Sequence, residues 1–198
     1  MNYQALFARI LDTVDTEAYR TPSAHVDATQ RAAMSQVERA IQAPDFDAAQ
    51  VRRLIDRLFS DGHIDAVLRY SALHVVACHP RVADWEEAAR LAGAQEHAAL
   101  ELGGRNLQAN LASVDRHRGV LAFLRSHFEV ALDYFARALE RQRSAENLGN
   151  ILATLVRLGD EDEAADLLRR VRAGFPQRLV DEVDTLVDTD PDLALLRS

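Results

Sequence analysis

Apolar residues recur along most of the chain at intervals of three and four, and the residues that interrupt a helix fall between these stripes. This pattern constrains the fold more than any other feature, because a period near 3.6 places each segment's apolar groups on one helical face. Leu6, Phe7, Ile10, Leu11 and Val14 make the first stripe, broken at Thr21-Pro22-Ser23. Val26, Ala33, Val37, Ala40 and Ile41 make the second, closed by Ala43-Pro44-Asp45. Val51, Leu54, Ile55 and Leu58 follow, stopped at Ser60-Asp61-Gly62. The stripe of Ile64, Val67, Leu68, Val75 and Val76 must end by His79, since Pro80 disfavours helix at the residue before it. Later breaks fall at Gly103-Gly104, Ser126, Ser144, Gly159-Asp160 and Gly174-Phe175-Pro176. No stretch carries the β-branched alternation of a strand. The pattern predicts an all-α chain of about ten antiparallel helices in hairpins. With no linker-like or low-complexity stretch, residues 1–198 read as one all-helical domain.

Charge narrows the chemistry. The 23 basic residues are all arginine, against 31 acidic ones, for a formal charge of -8. Without lysine there is no phosphate-loop amine, no Schiff-base nucleophile and no Ser-x-x-Lys centre. The net negative charge argues against nucleic acid as a partner. No apolar run approaches the ~20 residues that cross a bilayer, so no membrane insertion is expected. Met1-Asn2-Tyr3-Gln4-Ala5 leads into an amphipathic pattern rather than a secretory leader, and the single Cys78 fits a reducing compartment. The expected location is cytoplasmic.

Few groupings suggest catalysis. His74 and Cys78 lie four apart, which gives them one helix face at metal-ligand spacing, but no further ligand stands at a telling interval. His117 and His127 have no serine or cysteine nucleophile spaced to suggest a triad. Asp160-Glu161-Asp162-Glu163 reads as a helix start favoured by the dipole. The reading is a non-enzyme with no catalytic residue, no metal and no cofactor.

Two hairpins resemble each other. His127 to Leu139 follows a helix ending at Leu124-Arg125-Ser126, and Gly159 to Val171 follows one ending at Val156-Arg157-Leu158. Ala131 and Ala164 occupy matching places in their second helices, with apolar residues four and seven positions later. A small residue there lets the two helices of a hairpin approach closely. Gly119, Ala131, Phe135 and Ala138 in residues 112–144 match the tetratricopeptide repeat. Leu148, Ile151, Leu155, Ala164, Leu168, Val171 and Pro176 in residues 145–177 match it again, and Trp85 with Ala88 marks a looser match in residues 63–104. The chain is therefore similar to the tetratricopeptide repeat (TPR) family. That resemblance implies a right-handed α-solenoid, with capping hairpins in residues 1–62, repeats in 63–176, and a capping helix and tail in 177–198.

It also implies a function: a scaffold, adaptor or chaperone-like module that binds a peptide segment or partner protein on its concave face. The first helix of each hairpin would line that face. Carried onto this sequence, the lining residues are His74, Arg116, His117, Val120, Phe123, Leu124, Asn150, Val156 and Arg157. Such a groove would take apolar side chains, with acidic groups for Arg116 and Arg157. The absence of lysine argues against the family's carboxylate clamp. Two alternatives stand beside this reading. One is a metal-binding or enzymatic protein using His74 and Cys78. The other is a self-assembling structural protein, a homo-oligomer joined through its terminal helices. The tail Asp190-Pro191-Asp192-Leu193-Ala194-Leu195-Leu196 either docks back or is offered to a second subunit.

Overall fold

Aspartates placed just ahead of the apolar stripes start the first four described helices. Asp27 accepts from the Gln30 amide and completes a reciprocal capping box, beginning α1 (Ala28–Gln42). Asp47, Asp65 and Asp84 likewise take amides at the starts of α2 (Ala48–Ser60), α3 (Ala66–Ala77) and α4 (Trp85–Leu102). The computed structural model describes residues 27–79, 81–82 and 84–197. The first stripe, Leu6 to Val14, its break at Thr21-Pro22-Ser23, and the residues Val26 and Pro80 lie outside the described residues. The chain continues through α5 (Leu107–Leu124), α6 (Phe128–Arg141), α7 (Ala145–Leu158), α8 (Glu161–Gly174), α9 (Gln177–Thr189) and a 3-10 turn (Pro191–Leu196). All described secondary structure is helical, and the breaks read from the sequence coincide with helix ends to within a residue or two. Among the described residues, no helix is long and apolar enough to cross a membrane.

Two compact units divide the chain between Gly104 and Arg105. The boundary drawn from the sequence between residues 62 and 63 falls inside the first unit, between α2 and α3.

In the first unit, α3 packs on both α2 and α4, and α1 packs on α2. Ile55, Leu58, Leu73, Val76, Leu91 and Ala98 form its apolar core. Charges bind the same helices together. Arg52 on α2 reaches Glu87 on α4 at 2.7 Å, and Arg69 on α3 joins Asp56 at 3.0 Å and Glu101 at 2.5 Å. Arg81 donates to the carbonyls of Ile41 and Ala43, both at 2.8 Å, and so closes the end of α1. Its guanidinium lies 4.9 Å from the centre of the Phe46 ring, which also meets the imidazole of His79 with ring centres 4.3 Å apart.

The second unit is built from small residues set against large ones. Gly119 on α5 faces Phe135 on α6, and a Cβ at that glycine would lie 2.5 Å from the ring. Only a residue without a side chain lets the two helices meet there. Ala131, Phe135 and Ala138 are buried on α6, and Ala164, Leu168 and Val171 are buried on α8. The residues that carry the internal likeness therefore occupy the interior of both hairpins. Ser144 caps α7 through the Asn147 amide, and Gly159 ends it in the left-handed region at φ 85°. Helix α7 is the hub, touching α6, α8, α9 and the 3-10 turn. A Cβ on Gly149 would stand 3.0 Å from Leu186 Cδ1, so α9 approaches α7 closely along that side. Val180, Val183 and Val187 bury the inner face of α9. The tail left open by the sequence docks back onto its own unit, with Leu193 and Leu196 buried.

Candidate functional site

The residues expected to line a groove fall in both units. His74 lies on α3 in the first, and the other eight lie on α5 and α7 in the second.

In the second unit, the first turns of α7 bring Glu146 opposite Arg116, whose Nη1 stands 2.5 Å from its Oε2. The pair joins the first helices of the two similar hairpins. At the other end of α7, Arg157 pairs with Asp192 of the 3-10 turn at 2.5 Å. The two arginines expected to receive a partner's carboxylates thus each hold a carboxylate of their own unit. Their settings differ: the Arg116 side chain is 16% exposed, that of Arg157 40%. An exposed pair of this kind contributes about 0–1 kcal/mol, so the Arg157 pair is the easier to exchange. His117, Val120 and Phe123 are buried and present almost no surface to a partner. Phe123 instead packs edge-on to Phe128, with ring centres 5.3 Å apart. Leu124, Asn150 and Val156 are half-buried. The accessible part of the expected face therefore consists of Arg116, Leu124, Asn150, Val156 and Arg157.

Beside this row, Asp115 is buried next to α6, where Arg141 Nε reaches it at 2.8 Å and Arg137 at 3.7 Å. The buried carboxylate is compensated by two guanidinium groups. Asp115, Glu146 and Asp192 were not anticipated from the sequence. Glu146 sits in the first turn of its helix, where the dipole accounts for an acidic residue without any partner. No local spacing distinguishes it.

In the first unit, His74 is buried, with Nδ1 2.8 Å from Gln95 Nε2 and Nε2 3.9 Å from Cys78 Sγ. The imidazole thus lies between the Gln95 amide on one side and the sulfur on the other. Gln95 Nε2 also lies 3.4 Å from the Tyr70 hydroxyl, while its Oε1 is buried with no hydrogen-bond partner. The helical spacing of His74 and Cys78 does bring them together, as the sequence predicts. Gln95, 21 residues away on α4, could not be found by spacing. Among the described residues, no group of three or more His, Cys, Asp or Glu side chains is placed to hold a metal ion.

The fold and this arrangement define an all-helical protein whose second unit contains two similarly built hairpins. Comparison with known proteins finds no matching family model, no matching curated protein and no matching solved structure.

Proposed function

We propose that the chain is a non-catalytic protein-interaction module of the TPR type. In this reading the hairpins α5–α6 and α7–α8 stack as successive turns of a right-handed α-solenoid, with α9 as the cap. A partner's peptide segment binds along Arg116, Leu124, Asn150, Val156 and Arg157, as part of a scaffold, adaptor or chaperone-like role. The reading assigns no catalytic residue and no cofactor, and it places the protein in a reducing, cytoplasmic setting suited to Cys78. His74, in the first unit, is left outside the binding row.

The observation that supports it best is the repeated burial of a small residue and a large one at matching places. Ala131 and Ala164 are each fully buried, and Phe135 and Leu168 follow them at the same interval inside the two hairpins. A repeating hairpin buries its apolar face only by stacking on neighbours, which leaves the outer face of its first helices to recognise a ligand.

The test is capture of a binding partner from native lysate by the unaltered chain and by an Arg116→Ala, Arg157→Ala variant. The expected outcome is that proteins held by the unaltered chain are lost from the variant, with the far-UV circular dichroism of both unchanged. Equal capture by the two would count against the row.

A further inference from the structure

The 3-10 turn has the composition expected of a ligand for the surface it covers. It packs on α7, α8 and α9. Asp192 gives its carboxylate to Arg157, and Leu193 and Leu196 turn inward and are buried. Leu195, between them, is 59% exposed. The segment enters through Asp190, whose side chain accepts from the Asp192 amide. It leaves through Arg197, which donates to the carbonyls of Val187 and Asp190. Recognition therefore rests on one acidic group and on leucines one and four positions after it. A short turn must be ordered for the burial of two side chains, so its docking is close to balanced. Helix α7 does not depend on it for its cap, since it ends at Gly159 through its own backbone, whereas the last turn of α9 receives Arg197 at the Val187 carbonyl.

Building on the proposed binding role, we propose that Pro191–Leu196 is a displaceable internal ligand. The surface beneath it receives a partner's segment of the same chemistry, an aspartate followed by leucines at the next and the fourth positions. The tail competes with that segment and sets the concentration at which a partner can enter. Arg157 is the cation that both occupants share. A partner displaces the tail only if it supplies a carboxylate and two apolar side chains, which makes the site selective for acidic, leucine-bearing segments.

The experiment uses the full chain and a fluorescein-labelled peptide of residues 190–197, followed by fluorescence anisotropy. In a Leu193→Ser, Leu196→Ser variant the peptide is expected to bind at least tenfold tighter than to the unaltered chain. Adding Arg157→Glu to that variant should weaken binding about fivefold, the equivalent of about 1 kcal/mol for an exposed ion pair. Equal affinity for the variant and the unaltered chain would overturn the proposal. A dimer of the unaltered chain in sedimentation equilibrium, lost in the serine variant, would also overturn it in favour of tail exchange between copies. Hydrogen exchange on the unaltered chain gives an answer even if the serine variant does not fold. The Leu193 and Arg197 amides, bonded to the Asp190 and Ala194 carbonyls, should exchange at least a hundredfold faster than those in the middle of α7. Equal protection would mean that the tail opens only with the whole unit, and would overturn the proposal. Failure of the peptide to bind, with partner capture still dependent on Arg116 and Arg157, would remove the tail's role and leave the interaction module standing.

Discussion

The two units reach a helical core by different means. In the first, polar and charged side chains cross between helices: Arg52 to Glu87, Arg69 to Asp56 and Glu101, and the Tyr70–Gln95–His74 cluster inside. In the second, charged pairs also cross, Arg116 to Glu146 and Arg141 to Asp115, but helices in addition meet where a glycine faces a large side chain, with Gly119 beneath Phe135 and Gly149 beneath Leu186. Small-against-large packing can be reused whenever a hairpin recurs, and it is this unit that carries the internal likeness.

Substitutions can break the contrast, and the largest effect is expected at Phe135. Phe135→Ala empties a fully buried ring site and should cost the second unit about 3–5 kcal/mol. The only tryptophan, Trp85, begins α4 and reports the first unit. Urea unfolding should therefore show an earlier transition by circular dichroism and a smaller change in Trp85 fluorescence. Coincident shifts would show that the units unfold together and would dissolve the distinction at the level of stability.

A pair of glycines sharpens it. Gly119→Ala should destabilise by about 1–3 kcal/mol, because its Cβ meets the Phe135 ring. Gly93→Ala, within α4 where nothing lies within 4 Å of an added Cβ, should stabilise by about 0.5–1 kcal/mol through helix propensity. The same chemical change would then carry opposite signs in the two units, as read from chemical denaturation midpoints.

Glu87→Gln tests the charged side of the comparison. Glu87 is buried and also receives Arg90 at 3.3 Å, but Arg52 keeps a second carboxylate, Asp56, at 3.7 Å. A loss of about 1 kcal/mol is expected in the first unit, measured as a lowered urea midpoint in Trp85 fluorescence. No loss would mean that the apolar core alone holds α2 to α4.

The smallest effect concerns pH. Burial, and then the nearby charge of Arg81, hold the His79 imidazole below its ordinary value near 6.5. The folded ring thus binds protons less readily than the unfolded one. Its contribution to stability is complete above about pH 6.5 and declines as pH falls below it toward the lowered folded value. Thermal melts between pH 7.5 and 5 should show a downward shift that is reduced in His79→Gln, which cannot titrate. An identical pH dependence in both would assign the effect elsewhere.

Much of the helical order is legible locally. Asp47 and Ser144 announce helix starts, Gly159 announces a stop, and the stripe through Val180, Val183 and Val187 identifies the buried face of α9. These features act over one or two turns, so the sequence places them without knowledge of neighbours. The binding row was less legible. His117, Val120 and Phe123 occupy helical positions that could face a ligand, yet they are buried. A periodic stripe distinguishes inside from outside only when one face of a helix is covered, and α5 is buried on more than one.

The sequence by itself determined that this chain would be helical, where most of its helices begin and end, and that small and large residues recur at matching places in two hairpins. All of these follow from contacts between residues close along the chain. The tertiary structure alone decided that Arg116 would spend its charge on Glu146 and Arg157 on Asp192, 30 and 35 residues away. It also decided that the tail would turn inward. Charges separated by helices meet only once packing has chosen which helices are neighbours, and no periodicity along the chain encodes that choice.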